Sequence, residues 1–448
     1  MGYKDKDLIA LTHVCRAWRE IFISCSSLWT NFDCTNADKT RVYLERSKSS
    51  PINLWLDGSN ALSPSNPFLQ VIPHSVPRLK SLSVVGGPES LQDITAHLSR
   101  QAPLLMRLDM DGGSLSDPDR NPMLTTTLFD GNLSSLRELR LQSVRTKLPW
   151  RNMVNLTSFT LCHTSPGDLT ITQLLDFFES APRLRNIKLD SATPASGGRN
   201  GRLVSLGYLK RMYILRGGPS SLLLDHLVIP AGAKLTEWVP SFGAQLENYL
   251  PKSLDNLRNI PNFTKVYLRL DKRHRILRLS GPSGKLSMVS PIGVGYSALE
   301  CLARFDTSKA ERLEAVATIW PSIMSYEGLL HLRNLRTLTL SRCRDPHYFM
   351  ENLYPGSHSD GVMACPGLDE LIFVSRTDTE ELTAGKVIEF VAARASRGAK
   401  LKTVRILDVQ NRLKPEDVSE LRKHVSHVEY GSEVDVVSSD DDDSGEEC

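Results

Sequence analysis

Residues 134–141 read SSLRELRL, a pair of small residues followed by Leu-x-x-Leu-x-Leu, and this pattern returns along the chain. It appears upstream as PRLKSLSV (77–84) and PLLMRLDM (103–110), and downstream as VNLTSFTL (154–161) and PRLRNIKL (182–189). Further copies are SLLLDHLVI (221–229), PNFTKVYL (261–268), RNLRTLTL (333–340), PGLDELIF (366–373) and AKLKTVRI (399–406). Aligned on the first apolar position, the anchors are Leu79, Leu105, Leu136, Leu156, Leu184, Leu224, Phe263, Leu335, Leu368 and Leu401. The closing Leu-x-Leu alternates as a short strand does, with its apolar side chains on one face. Proline ahead of several copies (Pro77, Pro103, Pro182, Pro261, Pro366) ends a preceding helix and favours extended backbone.

Between the copies lie helical stretches: SLQDITAHLSRQA (90–102), TQLLDFFESA (172–181) and AGKVIEFVAARASR (384–397). In the last, Val387, Ile388, Val391, Ala392 and Ala395 recur at the spacing of one buried helix face. A single strand and helix cannot bury their own apolar faces, so neighbouring units are expected to stack. The pattern resembles the leucine-rich repeat in its longer, irregular form. The expected fold class is therefore α/β, an irregular solenoid in which parallel strands alternate with helices. The wide gap between Phe263 and Leu335 has room for a further unit around Leu313. It also has room for a β-hairpin, HRILRLSGPSGKLSMVS (274–290), turning at Gly281-Pro282-Ser283-Gly284.

The chain has 448 residues, 40% hydrophobic and 23% charged, enough for two or three ordinary domains or one extended repeat domain. It contains no apolar run of the roughly 18 residues a membrane helix needs, and no uncharged segment like a signal peptide near its start. The eight cysteines are scattered without a CxxC pair, against a zinc knuckle or a disulfide framework. The net charge of +3 conceals an acidic end: from Glu429 onward there are nine acidic residues and no Lys or Arg. Upstream, the Lys and Arg residues are spread along the sequence, so solvated surface is expected rather than a nucleic-acid interface. The tail VDVVSSDDDDSGEEC (434–448) is expected to be disordered. Its Ser438, Ser439 and Ser444 each stand three positions before an acidic residue, which suits an acid-directed kinase, although a solvating tail is the simpler reading.

Enzyme motifs fall short. GPSGKLS (281–287) has glycines too close for a phosphate loop and Leu286 where a hydroxyl is needed. SGGRNGR (196–202) reads as an inter-repeat loop. His424 with His427, and Cys162 beside His163, come without further ligands, and no nucleophile elbow appears. No catalytic residue, metal or cofactor is expected. Sequons begin at Asn132, Asn155 and Asn262, the last two inside repeat units where a structural role is expected.

The N-terminus is of a different kind. Residues 7–23 place Leu8, Leu11, Val14, Cys15, Trp18, Ile21 and Phe22 at helical steps, predicting one amphipathic helix. The turn SCSSLW (24–29), a second helix DKTRVYLERS (38–47) and a strand INLWLD (52–57) follow. LIALTHVCRAWREIF with SSLWTNF resembles the C-terminal part of an F-box, in which a V-C-[KR]-x-W-[RK] helix is followed by a Leu-Trp pair. Together with TRVYLERSKSSPINLWL and the later repeats, the chain resembles the F-box/leucine-rich-repeat proteins of mushroom-forming fungi over most of residues 7–430. An F-box ordinarily opens with a Leu-Pro-x-Glu segment and a first helix, and nothing in MGYKDK matches that half. Either the reading starts inside a longer protein, which is the expectation, or the chain is a natural variant that has lost adaptor binding.

The resemblance implies a non-catalytic substrate-recognition subunit of an SCF-type ubiquitin ligase, cytoplasmic and/or nuclear. Its F-box would bind a Skp-type adaptor, and through it a cullin, while the repeats hold an unknown target protein. Carried over by position, the adaptor-binding residues are Leu8, Leu11, Val14, Cys15, Trp18, Leu28 and Trp29, each of which could equally be internal core. The alternative is a free-standing leucine-rich-repeat scaffold that no longer binds the ligase; a nucleic-acid-binding solenoid is a weaker third reading. The implied organisation is a partial, all-α F-box over 1–35 and a linking helix and first strand over 36–57. The repeat solenoid with its hairpin insertion near 274–290 fills 58–430, and the acidic tail 431–448.

Overall fold

The computed structural model describes residues 5–33, 36–57, 72–113, 123–124, 127–146, 152–164, 169–192, 201–216, 220–239, 249–260, 262–271, 273–291, 298–317, 327–343, 346–354, 363–375, 382–408 and 413–431. The chain divides into two compact units, Met1–Trp238 with Glu247–Asn259, and Val239–Leu246 with Ile260–Cys448. The acidic tail, its serines and residues 196–200 of the glycine-rich stretch lie outside the described residues.

The first unit opens with three helices, α1 (Asp5–Leu11), α2 (Arg16–Ser24) and α3 (Ala37–Ser47). Its sheet is parallel throughout, and each strand pairs with the next in chain order. It runs from Asn31–Asp33 through Ile52–Asp57, Leu79–Val85, Arg107–Asp111 and Glu138–Gln142. It continues through Ser158–Thr164, Asn186–Ala192, Arg211–Leu215 and Lys234–Trp238. The register stacks like on like. Leu82, Leu108, Leu139, Phe159, Ile187, Met212 and Leu235 form one buried row. Two residues on, Val84, Met110, Leu141, Leu161, Leu189 and Ile214 form a second, which ends on Glu237.

A tight turn precedes the strands that carry the motif and explains its first leucine. The anchor N–H donates three residues back, Leu105 to Ala102, Leu136 to Leu133 and Leu156 to Met153, each at 3.0 Å. The following N–H crosses to the preceding unit: Met106 to the Lys80 carbonyl, Arg137 to Met106, Thr157 to Arg137 and Arg185 to Thr157, each at 2.8 Å. The backbone entering each strand is therefore satisfied partly within its own repeat and partly by the preceding one, so each repeat needs its neighbour.

The second unit repeats this arrangement. Lys265–Leu270, Arg312–Ala317, Thr337–Ser341, Glu370–Ser375, Thr403–Asp408 and His427–Gly431 pair in parallel, in that order. The unit expected around Leu313 is the Arg312–Ala317 strand. The expected hairpin is His274–Gly281 with Gly284–Pro291, which closes at Gly281 and Gly284 and pairs antiparallel with Lys265–Leu270.

Several local expectations need correction. The single helix predicted over 7–23 is two, broken at 12–15. Cys15 is extended (φ −156°, ψ 171°) and its Sγ caps the Trp18 N–H at 3.5 Å, while Thr12 Oγ1 donates back to the Ile9 carbonyl at 2.7 Å. Such short polar side chains compete with the helical backbone, which is why the apolar period ran straight across the break. The copy anchored on Leu224 is not a main-sheet strand: its Leu227–Val228 pairs only with Val204–Ser205 in a separate two-stranded ladder. The sheet position belongs instead to Arg211–Leu215, anchored on Leu209, whose N–H donates to the Leu206 carbonyl at 2.9 Å. In the helix Ala384–Ser396 the buried residues are Val387, Phe390, Val391 and Arg394, so the inward face is rotated from the one expected.

Arg394 is fully buried on that face. Its Nη1 donates to the Leu353 and Ala364 carbonyls at 3.3 Å, and Nη2 to the Cys365 carbonyl at 2.8 Å. It thus fastens the C-terminal end of the helix Pro346–Leu353, where a cation also meets the negative end of the helix dipole. Asn155 is structural, as expected: Nδ2 donates to the Ser134 carbonyl at 2.8 Å, and Oδ1 accepts from Arg183 at 2.9 Å. Asn262 Oδ1 likewise accepts from Lys309. No helix among the described residues is long and apolar enough to cross a membrane.

Candidate functional site

The N-terminal helices carry an apolar surface that the rest of their unit leaves open. A helix of nine residues is too short to be stable alone, so packing normally buries its apolar stripe. Helix α2 buries none of its residues. Val14, just ahead of its cap, is 60% exposed, Trp18 45% and Ile21 63%, and Ile9 on α1 is exposed as well. Trp18 leans on the half-buried Phe22, ring centres 5.8 Å apart. The opposite side of α2 is charged, with Arg16 and Glu20 paired at 3.0 Å.

Two devices hold this stripe in place. Arg19 Nε donates to the Thr12 carbonyl at 2.9 Å and fixes the corner between α1 and α2. At the other end Trp29 is 1% exposed, and its indole N–H donates to the Phe22 carbonyl at 2.8 Å. Trp29 sits edge-on to Tyr43 of α3 at 5.1 Å, with the Arg46 guanidinium 4.2 Å above its ring. A buried tryptophan with its N–H satisfied is a packing pin, and it locks the last turn of α2 to α3. The Ser26 and Ser50 hydroxyls meet at 2.8 Å. Arg78 reaches the Ser47 hydroxyl at 2.7 Å and the Ser50 carbonyl at 2.9 Å, tying the helices to the first strands.

The seven residues singled out from sequence therefore separate. Val14, Cys15, Trp18 and Leu28 face solvent; Leu8 and Leu11 are half-buried; Trp29 is core. Ile9 and Ile21 join the open stripe, and the helical period through Val14, Trp18 and Ile21 was the signal for the latter. The arrangement has the chemistry of a protein contact, an apolar strip with a tryptophan at its middle and charges on its flank. The sequence matches no protein-family model and no curated protein.

Proposed function

We propose that this protein is a non-catalytic substrate receptor of an SCF-type ubiquitin ligase. Helices α1 to α3 act as an F-box segment that docks on a Skp-type adaptor, and through it on a cullin. The strands that follow form an irregular leucine-rich-repeat solenoid whose outward sheet face takes a target protein. The observation that carries the reading is the unburied stripe of Trp18 and Ile21 on α2, with Val14 just ahead of its cap and the far end of the helix pinned by a buried Trp29. A rigidly mounted, open apolar helix face is the form in which helices are offered to a partner's groove. The in-register parallel strands support the second half, since stacked repeats create extended binding surfaces. A separate conjugating enzyme performs the transfer, and the receptor contributes proximity in the cytosol or nucleus.

The test is pull-down of the full chain with a purified Skp-type adaptor. Wild type is expected to bind, and Trp18→Glu to lose binding with unchanged circular dichroism. Absence of binding, even after the chain is extended upstream by a Leu-Pro-x-Glu helix, would sink the ligase reading and leave a free-standing repeat scaffold.

A further inference from the structure

The middle strands of the first unit are each entered through five residues around the anchor. In strand order these are PRLKS (77–81), PLLMR (103–107), SSLRE (134–138), VNLTS (154–158), PRLRN (182–186) and GYLKR (207–211). Eight of these thirty residues are Lys or Arg, and one, Glu138, is acidic. Four of the cations are held in place. Arg78 is bonded to Ser47 and Ser50, Arg107 meets Glu138 at 3.5 Å, Arg183 donates to Asn155 at 2.9 Å and Arg211 to Asn186 at 3.0 Å. The single carboxylate is thereby engaged.

The other four, Lys80, Arg137, Arg185 and Lys210, directly follow their anchors and are exposed. Among the described residues no carboxylate meets them. The backbone hydrogen bonds between repeats set them in one row, which runs Lys80, Met106, Arg137, Thr157, Arg185, Lys210. At about 4.8 Å per strand the row is about 24 Å long. In the second unit the corresponding row is Thr264, Glu311, Arg336, Asp369 and Lys402, which alternates in sign. The unbroken positive edge is therefore a property of the first unit and no by-product of the repeat.

The two repeats that lack a cation in this row carry an exposed aliphatic residue in the same turn, Leu104 ahead of Met106 and Val154 ahead of Thr157. Tyr208, exposed as well, stands ahead of Lys210. Singly exposed apolar residues are ordinary, but these alternate with cations along one line. A partner for this edge must bring negative charge at intervals and apolar side chains between. A nucleic-acid backbone supplies the charge and no aliphatic side chain. A protein segment with Asp and Glu interleaved among apolar residues supplies both, and about seven or eight extended residues cover the row.

We infer that this strand-entry edge, centred on Arg137 and Arg185, binds an acidic segment of a target protein whose Asp and Glu residues are interleaved with apolar ones. This rests on the target-binding reading above and names the edge and the chemistry of the target. The test uses the full chain and a labelled synthetic peptide of about eight residues, Asp and Glu alternating with Leu and Phe, followed by fluorescence anisotropy across added salt. Wild type is expected to bind with an affinity that falls as salt rises, and more tightly than it binds a peptide with Ser in place of Leu and Phe. The double variant Arg137→Glu, Arg185→Glu is expected to lose about ten-fold or more. Arg137→Gln, Arg185→Gln and Leu104→Ser, Val154→Ser lose less, and all three keep the wild-type melting temperature. Absent binding, or equal binding by wild type and all three variants, overturns the inference. So does tighter binding, through the same residues, of a single-stranded oligonucleotide or of vesicles of equal phosphatidylcholine and phosphatidylserine. Adaptor pull-down of the same proteins separates the two proposals: an adaptor bound by wild type that ignores the peptide defeats this one alone, and a peptide bound without the adaptor defeats the ligase reading alone.

Discussion

Raising the pH should loosen the first unit through one side chain, Glu237. It occupies the place in the second core row that Val84, Met110, Leu141, Leu161, Leu189 and Ile214 fill in earlier strands, and it is fully buried. Burial pushes its carboxyl from 4.5 to about 8, against a smaller opposing effect of the hydrogen bond with Ser220. The geometry agrees. Ser220 Oγ meets both Glu237 Oε1 and the Tyr249 carbonyl, the latter at 3.2 Å, yet a hydroxyl has one proton to give. A protonated Glu237 settles both contacts, donating to Ser220 while Ser220 donates to Tyr249. Oε2 has no hydrogen-bond partner, as suits a neutral acid better than an anion. Tyr249 is the titratable neighbour, its own phenol raised by burial and then by Glu237.

Because the folded value lies above the unfolded one, this group's contribution is fully present below about 4.5 and is lost as pH rises through about 8. At 1.36 kcal/mol per pH unit the window corresponds to at most roughly 5 kcal/mol. The assay is urea unfolding of wild type and Glu237→Leu across that window. The stability of the variant relative to wild type should climb with pH, by about 1.4 kcal/mol per unit in mid-window, and then level off. A constant difference would refute the reasoning.

Other substitutions separate surface from core. Trp18→Ala should change stability by less than about 0.5 kcal/mol while abolishing adaptor binding, whereas Trp29→Ala should cost about 3–5 kcal/mol by removing the pin between α2 and α3; chemical denaturation reads both. Arg394→Met strips three carbonyls of their donor and should cost about 3–5 kcal/mol, with accelerated amide exchange over 346–354 and 363–365. Gly281→Ala would bring a Cβ to 2.7 Å from the Asn262 carbonyl oxygen and 2.8 Å from Phe263 Cα, both backbone. A loss of about 1–3 kcal/mol is expected, visible as a lower melting temperature.

The repeat was legible because its cause is local. Leu-x-x-Leu-x-Leu encodes a turn whose anchor N–H bonds three residues back and a strand with one buried face, and both lie within eight residues of sequence. The hairpin expected at 274–290 and the helix expected at 172–181 were legible for the same reason; they stand as His274–Gly281 with Gly284–Pro291 and as Ile171–Ser180. The Leu224 copy misled because its spacing is also met by a short helical turn, Ser221–Leu224, followed by a two-residue ladder. The true strand hid its core positions behind Met212 and Ile214.

By itself the sequence determined the parallel α/β repeats, the helical character of the N-terminus and the candidate apolar residues, since each follows from periodicity over a few turns or strands. Tertiary structure alone decided which of those residues are open. Trp18 and Trp29 are equally apolar, but only the packing of α3 buries one and leaves the other in solvent. It alone set Arg394 and Glu237 into cores, where carbonyls and a serine hydroxyl from distant segments receive them. It alone stacked Leu82, Leu108, Leu139, Phe159, Ile187, Met212 and Leu235 into one row, because strand register is a relation between repeats and no single stretch of chain contains it.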